Sequence, residues 1–324
     1  MTSDLGATQQ GEIINLTLPL NRTPRSVLPL RVEIYRLIEP ASAPLGMTEE
    51  VYSLRSSLIA TLPVKDVPPG LSALTHRDSI DFQAAGGAPR YRYAVRVIQR
   101  EEQVAAFSNY AMLTPELEIA RPPGDLKATP GQTELEITWT APAANISGKQ
   151  PANVVGYNLY RRAAGVLARL NPKPLPETRY PDRAFQFETE YEYLVRALSL
   201  PAKSKNIAEA LESNESATLK ITPKDTFAPA APAAITVASI NGVVSLFWPA
   251  NPETDVSGYY LYRAEAPDTP PAAWARLTPQ PHKATSFRDD RVQAGKTYYY
   301  QLTAIDGAGN ESPRSATIAE TVNQ

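Results

Sequence analysis

One phrase occurs three times in the chain. Tyr298, Tyr300, Leu302 and Ala304 alternate with more polar residues in TYYYQLTAID, as do Tyr191, Tyr193, Val195 and Ala197 in EYEYLVRA, and Tyr91, Tyr93, Val95 and Val97 in YRYAVRV. A period of two, rich in aromatic and β-branched residues, is the pattern of a strand buried on one face. The leading tyrosines, Tyr91, Tyr191 and Tyr298, stand 100 and 107 residues apart. That interval is the size of a domain. The 324 residues therefore read as three versions of one module.

A second signature precedes each phrase: VEIYR at Val32 to Arg36, GYNLYR at Gly156 to Arg161 and GYYLYR at Gly258 to Arg263. Further upstream stand Trp139 in LEITWTAP and Trp248 in VSLFWPA. This order resembles strands B, C and F of the fibronectin type III family, over nearly the whole chain and most closely over 121–324. The resemblance implies an all-β chain of three tandem immunoglobulin-like β-sandwiches at 1–120, 121–222 and 223–324, the first degenerate. It implies that Trp139 and Trp248 fill the space between sheets. Tyr191 and Tyr298 would be tyrosine-corner residues, their hydroxyls bonded to backbone upstream of strand F. Tyr91, Tyr160 and Tyr262 are read with them as structural core.

The first module departs from its siblings in two ways. Aligning Pro19 with Pro142 puts Leu16 where Trp139 stands, and Tyr35 lies 56 residues before Tyr91, against 31 for Tyr160 to Tyr191 and 36 for Tyr262 to Tyr298. An insertion of about twenty residues thus falls within 39–75, a length at which loops often carry function. Thr48 before Glu49 and Glu50 is an N-cap followed by an acidic first turn. A short helix is expected at about 48–56, with Val51, Leu54 and Leu58 on one face, plugging an edge or end of the sandwich. A strand near 57–63 follows, then strands E, F and G near 77–83, 90–99 and 103–113.

Charge and composition exclude several classes. The net charge is −2 and no Lys/Arg block exists to neutralise phosphates, so nucleic acid is not an expected partner. The absence of cysteine removes disulfides, thiol catalysis and thiolate metal sites. No apolar run reaches the length of a membrane span. The opening MTSDLGATQQGE lacks the basic and apolar regions of a secretion signal. A natural start there implies the cytoplasm. The resemblance instead implies a cell-envelope or extracellular protein, similar to bacterial lipoproteins whose signal and lipidated cysteine would lie upstream of Met1.

No phosphate loop, nucleophile elbow or zinc motif is present. His76 and His282 fall in different modules beside turn-forming residues and read as solvated loop histidines. A non-enzyme without cofactor is expected. One polar constellation remains. Asp225 lies in the linker 222–232, Glu253 and Asp255 in the third B–C loop, and Asp306 and Asn310 in the third F–G loop. These elements share one pole of such a sandwich, where the residues would hold Ca²⁺ or form a hydrogen-bonded interdomain joint. Turn chemistry favours the joint. The second B–C loop, PAANISGKQPAN, reads as exposed, and Trp274 as half exposed. The expected function is a non-catalytic binding or spacer protein engaging protein or polysaccharide through loops and strand edges. Two alternatives are an accessory carbohydrate-binding module, with Trp274 and Tyr259 its faint aromatic strip, and a self-assembling structural subunit.

Overall fold

The computed structural model describes residues 4–19, 31–64, 72–81, 89–100 and 103–323. The chain divides into two compact units, Met1–Pro223 and Lys224–Gln324. The first holds two sheet pairs with separate cores and the second holds one.

In the first sandwich the strands are β1 (Gly6–Gln10), β2 (Ile13–Pro19), β3 (Arg31–Glu39), β4 (Ser57–Pro63), β5 (Ala73–Ser79), β6 (Arg90–Arg100), β7 (Gln103–Phe107) and β8 (Ala111–Leu113). One sheet runs β1-β2-β5 and the other β4-β3-β6-β7, with β8 also on β6. This is the A-B-E and C′-C-F-G arrangement of a fibronectin type III-like sandwich. Leu16 is buried in the core, together with Ile14, Ile34, Tyr91 and Tyr93. Strand β5 starts four residues earlier than the sequence reading of 77–83, so His76 lies mid-strand opposite Leu16 and not in a loop. Residues 65–71 of the predicted insertion lie outside the described residues.

Helix α1 (Glu49–Arg55) is capped by Thr48, whose side chain accepts from the Val51 amide. Its buried residue is Tyr52, whereas Val51, Leu54 and Leu58 are exposed. The predicted apolar face therefore points to solvent. Alternation along β3 and β6 gives the physical reason. Leu37 and Ala94 face away from the core, and Tyr52 packs on them with Phe107 and Tyr110. The helix covers the outer face of the C-F sheet, and does not plug an end of the sandwich. Its phenol donates to the carbonyls of Tyr35 at 3.0 Å and Arg92 at 3.4 Å.

The second sandwich is built of β9 (Gly124–Pro130), β10 (Leu135–Thr140), β11 (Gly156–Ala163), β12 (Val166–Arg169), β13 (Arg179–Asp182), β14 (Tyr191–Ser199), β15 (Leu211–Glu212) and β16 (Leu219–Ile221). Its sheets are β9-β10-β13 and β12-β11-β14, with β15 and β16 both on β14. The second unit repeats the plan with β17 (Thr236–Ile240), β18 (Val243–Phe247), β19 (Val256–Ala264), β20 (Ala275–Arg276), β21 (Ser286–Asp289), β22 (Thr297–Asp306) and β23 (Ile318–Thr321), in sheets β17-β18-β21 and β20-β19-β22-β23. Trp139 and Trp248 sit between sheets with Tyr157 and Tyr259 edge-on, at centroid separations of 5.4 and 5.3 Å.

The first two sandwiches interlock. The B–C loop read as exposed is instead inserted: Ile146 is 3% exposed within the first core, and its amide donates to the Ile119 carbonyl at 2.8 Å. Asn145 Nδ2 and Ser147 Oγ both donate to Glu118 in the connecting segment, at 2.8 and 3.2 Å. On the other side the β1–β2 turn meets β15 and the residues just after it. Gly11 donates to the Glu212 carbonyl at 2.8 Å, and the Glu12 amide donates to Asn214 Oδ1 at 3.3 Å. Gly11 has φ +53°, and a Cβ there would lie 2.5 Å from the Asn214 amide nitrogen. Glycine is required by both its conformation and this close approach.

Candidate functional site

In the second and third sandwiches the leading tyrosine of the repeated phrase ties strand F to the segment before it. Tyr191 Oη accepts from the Gln186 amide at 3.0 Å, and Tyr298 Oη from the Gln293 amide at 3.2 Å. Tyr91 is buried and stacks on Tyr93 at a centroid distance of 6.5 Å. Tyr298→Phe is expected to lower stability by about 1 kcal/mol, because the Gln293 amide loses its acceptor. An unchanged urea midpoint would reject that role.

The second tyrosine of each phrase has a partner the sequence reading missed. Tyr93, Tyr193 and Tyr300 donate to Asp78, Asp182 and Asp289 at 2.8, 2.7 and 3.0 Å. Arg36, Arg161 and Arg263, the arginines ending IYR, LYR and LYR, reach the same carboxylates at 2.9, 2.7 and 2.8 Å. Burial and then the neighbouring aspartate push the Tyr300 hydroxyl well above the ordinary phenol value, while in Tyr193 the bond to Asp182 follows burial as the cause. Ionising these phenols would unfavourably place two anions together, so they act as structural donors.

Tyr160 and Tyr262, expected in the inter-sheet core, occupy the outer face of the C-F sheets. Tyr160 Oη donates to Glu212 Oε1 at 2.5 Å and Tyr262 Oη to Glu311 Oε1 at 2.8 Å. Burial pushes the Tyr160 hydroxyl up to about 12, helped by its bond to Glu212. Burial alone would raise the Glu212 carboxyl; bonds from Asn158, Tyr160 and Arg196 outweigh it and hold the group below its usual value. A depressed folded value contributes stability above the unfolded pKa of about 4.3, and that contribution disappears as pH falls through the folded value. The melting temperature of the Met1–Pro223 unit should therefore fall below about pH 4. Glu212→Gln should be less stable at pH 7 and flatter across that acid range; an acid limb equal to wild type would exclude Glu212 as its source.

In the second unit the outer face carries Tyr260, Tyr262, Trp274 and Tyr299. Trp274 is 8% exposed, with its indole N–H donated to the Thr269 carbonyl, and so is not half exposed. Tyr259 faces the core against Trp248. The expected strip of Trp274 and Tyr259 does not exist, because adjacent strand residues point to opposite faces. Arg276 lies over the Tyr260 ring at 3.4 Å and Arg314 over the Tyr262 ring at 4.1 Å, which covers faces a sugar would stack on. His282, read as a solvated loop residue, bridges to Tyr259 and packs beside Trp248 and Phe287, with Nε2 2.7 Å from the Ser286 carbonyl.

The polar constellation at the upper pole splits in two. Asp225, Asp255 and Asp306 present carboxylate oxygens within 4.8 Å of one another. Asn310 links two of the three: its backbone amide donates to Asp306 Oδ1, and its Nδ2 to Asp306 Oδ2, both at 2.8 Å, and to the Asp225 carbonyl at 3.2 Å, while the Asp255 carbonyl accepts from the Gly307 amide at 3.0 Å. Glu253 stands apart, accepting from the Ala230 amide at 2.8 Å and from Asn251 Nδ2 at 3.1 Å. The Ala230 bond holds its carboxyl below the usual range. The three aspartates can supply part of the oxygen set that Ca²⁺ takes. Without a cation, the Asn310 donors on Asp306 and the Phe227 amide on Asp225 Oδ1 offset part of their repulsion.

No family model matches the chain. It is 29% identical over 288 residues to Exoglucanase B of Cellulomonas fimi, an alignment covering 82% of this chain and 24% of that protein. The chain thus spans about a quarter of the length of this relative. Among solved structures, the crystal structure of chicken CNTN1 FN1–FN3 domains aligns over 99% of this chain and 97% of its own, at 18% identity and a TM-score of 0.30. Among the described residues no helix is long and apolar enough to cross a membrane.

Proposed function

We propose that the chain is a non-catalytic run of three fibronectin type III modules, with boundaries near 120 and 222, that spaces and positions other parts of a secreted or envelope-associated carbohydrate-active system. The observation that carries this reading is the interlock of the first two sandwiches through Ile146 and Gly11, which fixes two modules as one body. Such a joint suits a spacer that must hold a distance, where a flexible linker would not. The similarity to a stretch about a quarter the length of an exoglucanase supports the system it serves. The clustered carboxylates of Asp225, Asp255 and Asp306 are taken as turn-closing groups, Asp306 held by Asn310 and Asp225 by the Phe227 amide, with Ca²⁺ as the alternative occupant.

Carbohydrate binding by the chain itself is the second reading, favoured by the same relative. The arginine-covered rings argue against it. Depletion assays on crystalline and amorphous cellulose decide between them. The chain is expected to stay in the supernatant, and retention on either polymer would overturn the spacer reading in favour of a binding module.

A further inference from the structure

The insertion of the first sandwich leaves an unusual edge. Strand β4 is hydrogen-bonded to β3 along one side, and no described residue pairs with its other side. Its seven residues, SLIATLP, contain no charge. The corresponding strands of the other sandwiches are β12, four residues ending in Arg169, and β20, two residues ending in Arg276. Short length, charge, proline and bulges keep sheet edges from pairing with other chains; β4 is seven residues long and uncharged, with proline only at its last position and one bulge, at Ile59. Ile59, Ala60 and Leu62 reach the margin of the core only half-buried, while Leu58 is 51% exposed and Leu54 of α1 82%.

We propose that the free edge of β4 pairs antiparallel with the same edge of a second copy of this chain, joining two first-sandwich sheets across a two-fold axis. Unpaired main-chain donors and acceptors select an extended strand as the occupant. A second copy fits because two-fold pairing sets the strand against itself in reverse, position i facing j and j facing i, which a strand of like charges would resist and this neutral one does not. The net charge of −2 adds little long-range repulsion. Pairing also stops at two copies. At the opposite end of the sheet the Phe107 amide of β7 already donates to Glu49 Oε1 at 3.2 Å, so that edge offers one donor fewer to an added strand. An isologous contact of this kind closes on itself. The inference goes beyond the spacer reading and does not depend on it.

Sedimentation of the full chain from about 1 to 100 µM tests it, the range in which modest interfaces populate. The wild type should shift from monomer to dimer with concentration. Thr61 is exposed near the centre of β4, so Thr61→Lys sets two ammonium groups close to the axis and should weaken dimerisation at least about tenfold. Thr61→Glu should do the same. An equimolar mixture of the two variants should regain a dimer, which a merely unfolded strand could not do. Val166→Lys on β12 should change nothing. A wild type that stays monomeric, a dimer indifferent to Thr61→Lys, or a mixture that remains monomeric would each overturn the proposal.

Discussion

Asp289→Ala is expected to destabilise the Lys224–Gln324 unit by about 3 kcal/mol or more, the cost of breaking a buried ion pair from one side. Asp289 is 3% exposed, and its Oδ2 receives both the Arg263 guanidinium and the Tyr300 hydroxyl. Oδ1 additionally accepts the Arg291 amide at 3.0 Å. Truncation strands a phenol and most of a guanidinium in the sandwich, and the Arg291 carbonyl that remains bonded to Arg263 cannot replace a charge. The double change Asp289→Leu with Arg263→Met should cost less than Asp289→Ala alone, because replacing both ions avoids an uncompensated one. Urea midpoints for the three proteins provide the check. A loss below about 1 kcal/mol in Asp289→Ala would show the triad to be well solvated.

That triad also marks how far the sequence could be read. The period of two placed every Tyr-x-Tyr strand, and the corner tyrosines follow from their position at its start. The arginine of IYR, LYR and LYR was visible, as were Asp78, Asp182 and Asp289. Their meeting was not, since it depends on the C strand and the E strand closing opposite sheets over the same point. A recurrence of Tyr-Arg and Asp at matching places in all three copies was the signal available.

Other features had no local signal. The B–C loop of the second sandwich is polar by composition, and one isoleucine in it decides where the loop goes. Ile146 is buried because a neighbouring sandwich offers it a core, and nothing within PAANISGKQPAN records that neighbour. The α1 reading failed differently. Thr48 and the acidic turn located the helix, but its anchor is a single tyrosine with two carbonyls to bond, not an aliphatic stripe. Tyr160 and Tyr262 sit on the outer sheet face, where ring burial comes from Arg196 and Arg314 lying over them at 4.5 and 4.1 Å.

The clearest case of burial imposed from a distance is Arg92. In RYRYAVRV it stands on the polar side of the alternation, yet its side chain is fully buried, as is that of Glu39. The segment after β3 folds back over the outer face. Arg92 donates Nη1 to the Leu45 carbonyl at 2.8 Å and Nη2 to the Pro44 carbonyl at 3.0 Å and to Glu39 Oε1 at 2.9 Å. Arg90 donates Nε to the same oxygen at 2.8 Å and Nη2 to the Ala43 carbonyl at 2.7 Å. Two guanidiniums thus share one carboxylate, and main-chain carbonyls of Ala43, Pro44 and Leu45 accept further donors from them. Glu39→Ala would leave two buried cations with dipoles alone, a loss of about 3–5 kcal/mol if the segment stays closed. Opening residues 40–47 to let water reach both arginines is the less costly escape, because that segment is held mainly by these carbonyl bonds. The expected result is therefore a lower urea midpoint for the Met1–Pro223 unit together with faster proteolytic nicking between Pro40 and Met47. Glu39→Gln should fall between, since its amide oxygen still accepts but carries no charge. A Glu39→Ala protein with wild-type stability and an uncut segment would mean that the carbonyls alone satisfy both arginines.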